Sequence, residues 1–110
     1  MTDKIVVLST CASEDEAARI ASELVTKRLA ACVNIIAGVR SLYRWKDAME
    51  ESQEVLLVIK TSRALFDHLR SQIEKTHSYE VPELIALPIV DGAGSYLDWL
   101  DRALAKPPED

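Results

Sequence analysis

Along the chain, short unbroken apolar runs alternate with segments whose apolar residues return every three or four positions. The run KIVVLST (4–10) is rich in β-branched residues and predicts a strand. Ser13, with Glu16 three residues later and Glu14 and Asp15 between them, has the form of a capping box. Ala17, Ile20, Ala21, Leu24 and Val25 then repeat at helical spacing, so a helix is expected to run to about Ala30. ACVNIIAGV (31–39) predicts a second strand, with Gly38 marking a bulge or bend. The alternation continues through SLYRW (41–45), where Ser41, Tyr43 and Trp45 share one face and Leu42 and Arg44 the other. The polar stretch KDAMEESQ (46–53) reads as a hairpin connection, and EVLLVIKT (54–61) as the most apolar strand of the chain. Thr61 or Ser62 is placed to cap a second helix carrying the stripe Leu65, Phe66, Leu69 and Ile73. ELIALPIV (83–90) predicts a fourth strand, and residues 91–94 a turn. Ser95, with Asp98 three residues on, starts a short last helix presenting Tyr96, Trp99, Leu100 and Leu104. The polar tail, 105–110, reads as loose.

The element order is βαββαβ plus a terminal helix, within one α+β domain spanning 1–110. Two helices separated by a hairpin fit a four-stranded antiparallel sheet in the order 4-1-3-2, with both helices on one face. Pro88 agrees, because that order puts the fourth strand at an edge, where a missing N–H is tolerated. The second face of such a sheet should carry polar residues. Instead Val6 and Leu8 alternate with Ile5 and Val7, and Leu56 and Val58 with Val55, Leu57 and Ile59. Both faces are apolar, and the terminal helix is too short to cover the second alone. A homo-oligomer buried sheet to sheet is expected.

In this topology the end of strand one, the hairpin tip and the start of strand four share one end of the sheet. Cys11 is thereby brought towards the segment HSYEVPEL (77–84), which holds His77, Tyr79, Glu80 and Glu83 within a few residues. A thiol, an imidazole and a carboxylate suit Cu or Zn better than Mg or Ca, so Cys11, His77 and Glu80 form a candidate metal site. Each has a plainer reading: Cys11 as a small buried hydrophobe, His77 as a helix C-cap, Glu80 as a turn residue. Cys32 follows the first helix at the opposite end and reads as core. Attack by Cys11 with His77 as base is conceivable, but no oxyanion hole or glycine-rich phosphate loop accompanies it, so binding ranks above catalysis and no enzyme is expected.

Eighteen acidic residues against thirteen basic ones give a net charge of −5, which argues against a nucleic-acid partner. Two cysteines are too few for a disulfide framework. The N-terminus has too short an apolar run for a signal peptide, and no stretch approaches the roughly 20 apolar residues that span a bilayer. A cytoplasmic protein with free thiols and no membrane partner is expected.

At LAACVNI, SLYRW, the Glu-x-x-Leu-x-x-Lys-Thr of 54–61, HSYEVPEL and the closing YLDWL, the chain resembles the CutA family of divalent-cation tolerance proteins, in register from about Ile5 to Leu104. The resemblance implies a ferredoxin-like subunit, a homotrimer with its sheets around a threefold axis, and long hairpins reaching across to neighbours. It implies a role in the response to divalent metal ions, with Cu or Zn bound but not required for folding. The trimer's likeness to PII signalling proteins implies an alternative, a regulatory or scaffold trimer taking a small anion or a partner protein at its inter-subunit cleft. Copper-binding members carry a Cys that falls on Ser9 here and a His-His pair that falls on Thr76 and His77; Ser78 stands for the usual Pro. The usual Trp-Glu-Gly-Lys hairpin tip reads Trp45-Lys46-Asp47-Ala48.

Overall fold

A computed structural model describes residues 1–105 of the chain. Its elements are β1 (Lys4–Cys11), α1 (Glu14–Thr26), β2 (Cys32–Trp45), β3 (Ala48–Ser62), a 3-10 turn (Arg63–Leu65), α2 (Phe66–Thr76), β4 (Ile85–Pro88) and α3 (Gly94–Leu104). All four strands pair antiparallel in the order β2-β3-β1-β4, the expected 4-1-3-2 sheet read from its other edge. The polar tail beyond residue 105 lies outside the described residues.

Register decides which side chains meet. Ile5, Val7, Ser9 and Cys11 of β1 point with Val55, Leu57, Ile59 and Thr61 of β3 towards α1 and α2. There they form one core with Ala17, Ile20 and Leu24 of α1 and Leu69 and Ile73 of α2. Full burial of one such aliphatic side chain stabilises by about 1.5–3 kcal/mol. The helices start as their sequences require: the Ser13 hydroxyl accepts the Glu16 N–H at 3.2 Å, and three acidic residues fill the first turn of α1.

The opposite face carries Val6, Leu8, Leu56, Val58, Ile36, Ile85 and Leu87. Of these, Ile36, Ile85 and Leu87 are between 46% and 51% exposed. α3 covers only one end of this face. Leu100 is fully buried there, outside the main core, and Asp101 pairs with the buried Lys4 at 2.6 Å. The apolar second face inferred from the sequence is real, and most of it stays open in the single chain.

Several boundaries differ from the sequence expectation. α1 stops at Thr26 rather than Ala30, because Arg28 takes a left-handed φ of 57° and the Leu29 and Ala30 N–H groups both turn back to the Leu24 carbonyl. Residues 48–53, expected in a loop, are strand. They are polar because the hairpin projects beyond the helices and both its faces meet solvent. The turn is only Lys46-Asp47, with φ of 50° and 66°, which matches the twist of a two-residue hairpin. β4 is shorter than 83–90, and α3 starts at Gly94. Thr61 does not cap a helix: its hydroxyl donates to the Leu29 carbonyl at 2.7 Å. Cys32 is not core, since its partner Lys60 alternates with Ile59 and faces the open side.

Gly38 makes the expected bulge. Ile36 pairs with Leu56 and Val39 with Glu54, so β2 spends one residue more than β3, and Gly38 has φ of 79°. A Cβ there would meet nothing within 4 Å, so backbone conformation and not space demands glycine. The extra residue inverts the alternation. Beyond it Ser41, Tyr43 and Trp45 share the face of Glu54, on the open side of the sheet.

Candidate functional site

Three elements meet where β1 ends. α2 terminates when the His77 N–H donates to Ile73 O at 2.8 Å and the backbone turns extended at ψ of 144°. The imidazole then reaches back to β1, with Nε2 standing 2.7 Å from the Thr10 carbonyl. A carbonyl only accepts, so Nε2 carries the proton. Nδ1 accordingly accepts the Tyr79 N–H at 2.9 Å. Both ring nitrogens are thus committed to backbone groups, which fixes a neutral tautomer. His77 serves as the C-cap and also as a tie between α2 and β1.

Glu16, in the first turn of α1, is the other half of the tie. It is 9% exposed, and its carboxylate accepts from Ala12 N–H (3.2 Å), Ser78 N–H (2.8 Å) and the Ser78 hydroxyl (3.0 Å). Burial pushes its pKa up, but the Ser78 hydroxyl and the Ser78 and Ala12 N–H groups outweigh burial and hold it below the ordinary glutamate value. Cys11 lies beside these groups, fully buried, and its Sγ belongs to a group of ligand atoms with Glu16 and His77 that all fall within 4.8 Å of one another. Burial, reinforced by the charge of Glu16, pushes the thiol up to about 11. At neutral pH it is a thiol, which makes it a poor nucleophile.

Of the three residues the sequence suggested, Cys11 and His77 come together and Glu80 does not join them. Glu80 is exposed and lines a cleft between the hairpin and the 77–83 loop, with Thr10, Tyr43, Trp45, Glu54 and Tyr79 among its neighbours. Tyr79 closes the floor of that cleft by donating its hydroxyl to Glu54 at 2.7 Å; burial first, and then Glu54, raise its pKa. The third member of the Cys11 group is Glu16. The sequence marks it only as a capping-box residue, because its partner Ser78 lies 62 positions away. Ser9 is fully buried, and its hydroxyl is the one buried side-chain polar atom left unpaired among the described residues.

Sulfur, imidazole nitrogen and carboxylate oxygen are the right donors for a thiophilic ion. Their proximity fits one, though Cys11 is protonated, and His77 and Glu16 are already hydrogen-bonded. The corner is complete as a lock for the 77–79 segment without any ion.

The chain matches the family described as CutA1 divalent ion tolerance protein over residues 5–103. It is 50% identical over 95 residues to the divalent-cation tolerance protein CutA of Thermus thermophilus, covering 86% of this chain and 92% of that protein. It is 47% identical over 91 residues to human Protein CutA, covering 83% of this chain and 51% of that one. The chain spans about half the length of its plant and animal relatives. Among solved structures, the Thermus thermophilus Cut A1 protein superposes with a TM-score of 0.86 at 49% identity, over 88% of this chain and 94% of that one. Oryza sativa CutA1 gives 0.90 at 39% identity, over 94% and 95%. By sequence and by fold, the chain belongs to the CutA1 family of divalent ion tolerance proteins.

Proposed function

We propose that this protein acts in tolerance of divalent metal ions as a non-enzymatic homotrimer, and that Cys11, Glu16 and His77 are the residues that would hold a thiophilic ion such as Cu or Zn. The observation that carries the metal reading is the convergence of three donor types, from β1, α1 and the end of α2, within 4.8 Å. Coordination there would cross-link those three elements in place of their hydrogen bonds. Cys11 must give up a proton held with a pKa of about 11, so affinity rises with pH through the neutral range. His77 must free Nδ1 from the Tyr79 N–H, the only lone pair its ring has. Because the corner is satisfied without an ion, folding does not depend on one. Glu80, at the adjoining cleft, is an outer carboxylate that would draw cations to this end of the sheet. Assembly is supported by the open apolar face, where Ile36, Ile85 and Leu87 need a cover that α3 does not supply. Two free cysteines accord with a reducing, cytoplasmic setting, and no helix among the described residues is long and apolar enough to cross a membrane.

Calorimetric titration of Cu and Zn into chelator-stripped protein tests the metal reading. Saturable binding that disappears in His77→Ala and in Cys11→Ser is expected, with release of about one proton, that of the Cys11 thiol, throughout the neutral range. Equal uptake by the wild type and both variants would remove the site.

A further inference from the structure

The corner of Cys11, Glu16 and His77 also holds the chain that follows α2. Ser78 is tied to Glu16 by its N–H and its hydroxyl. Tyr79 is tied twice, its N–H donating to His77 Nδ1 at 2.9 Å and its hydroxyl to Glu54 Oε2 at 2.7 Å. Its ring leans on the imidazole, with centroids 4.7 Å apart. Beyond it the hold is slight. No hydrogen bond among the described residues involves 80–83, and Glu80, Val81 and Glu83 are exposed. The next fixed point is Leu84, which packs against the core. Tyr79 is therefore the anchor of the 79–83 segment, and half of that anchor is a lone pair of His77.

A metal ion needs an imidazole lone pair, and a neutral ring has only one. Here it lies at Nδ1, because Nε2 carries the proton facing the Thr10 carbonyl. An ion entering at Nδ1 displaces the Tyr79 N–H. An ion entering at Nε2 drives the ring proton onto Nδ1, where it meets the same N–H, donor against donor. Either route takes the acceptor from Tyr79. The His77 N–H is spared, since it bonds to Ile73 O at the end of α2. We propose that ion binding at this corner is a latch release: the ion and the 79–83 segment compete for one lone pair of His77, and occupancy by the ion frees the segment. The proposal rests on the reading of Cys11, Glu16 and His77 as an ion site, and adds to it a conformational consequence. Because the Tyr79 hydroxyl reaches Glu54 of β3, the release extends from the helix side of the sheet to its open side.

The test reads amide hydrogen exchange by NMR on the full chain, without ion and saturated with Zn or with Cu(I), both diamagnetic, after calorimetry has measured uptake. Exchange at the Tyr79 amide should accelerate about tenfold or more on saturation, the consequence of a donor losing its acceptor. The His77 amide should not accelerate. Binding that merely rigidified the corner would slow both. Coupling is reciprocal, so a weaker hold on the segment should favour the ion. Tyr79→Phe removes the bond to Glu54 and keeps the N–H, and should take up the ion more tightly, by up to about tenfold. Uptake with the Tyr79 amide unchanged or slowed would overturn the latch and leave the ion site standing. No uptake of either ion would overturn both. A folded Tyr79→Phe that binds no more tightly than the wild type would also overturn the latch; if that variant does not fold, the wild-type exchange decides alone.

Discussion

Glu16 offers the sharpest test of how this end of the molecule is held. Its carboxylate takes three hydrogen bonds, one from the residue before its own helix cap and two from Ser78, far along the chain. Hydrogen bonds to a charged group contribute about 1.5–3 kcal/mol each, and they do not add in full when they share an acceptor. Glu16→Ala leaves the Ser78 and Ala12 N–H groups without their partner and opens space beside Cys11, so a loss of about 3–4 kcal/mol is expected. Glu16→Gln keeps one acceptor oxygen but turns an amide NH2 towards donors, for about 2 kcal/mol. Against a total of about 5–15 kcal/mol for a domain, either loss is easy to measure. Urea unfolding at fixed protein concentration gives the difference, the concentration being held because assembly would otherwise shift the midpoint. The pH dependence supplies a second reading. Glu16 has a folded pKa below its unfolded value, so its contribution is complete above the ordinary glutamate range of about 4.3 and is lost as pH falls through the lower folded value. The gap between wild type and Glu16→Gln should therefore be full at pH 7 and close on strong acidification. Hydrogen exchange at the Ser78 amide should accelerate in both variants. An unchanged midpoint at pH 7, with Ser78 still protected, would refute the assignment of Glu16 as the lock.

Four further outcomes follow from particular contacts. Asp47→Gly removes a side chain from a left-handed position with φ of 66° and should stabilise the hairpin by about 1 kcal/mol in thermal unfolding. Cys11, fully buried and with its thiol raised to about 11, should resist alkylation at pH 7 in native protein and react only on unfolding. Ser9→Ala removes a buried hydroxyl that has no partner and should leave stability unchanged or raise it by about 1 kcal/mol in urea titration. Leu87→Glu puts a charge on the open apolar face at a position 47% exposed in the single chain; light scattering should report a smaller particle, with circular dichroism retained.

Much of this protein was legible in its residues because the relevant signals are local or periodic. Strand β1 follows from an apolar β-branched run, α1 from a cap and a 3.6-residue stripe, the bulge from a lone glycine inside an alternating segment, and the sheet order from the sequence of elements. The excess of apolar residues on the strands likewise announced a second apolar face, since alternation fixes how many side chains each face receives. The polar half of the hairpin misled, because a strand with solvent on both faces loses the apolar period by which strands are recognised. The chemistry at the end of the sheet needed the fold. Cys11 and His77 could be brought to one end by topology, but a cap-box glutamate becomes a buried acceptor only when Ser78 arrives from 62 residues away. Which hairpin face holds Tyr43 and Trp45 relative to Glu54 was likewise fixed only by pairing, because one inserted residue at the bulge inverts every side chain beyond it. Local composition determines what each segment can become; register and long-range hydrogen bonds, which no single segment encodes, determine which groups end up facing one another.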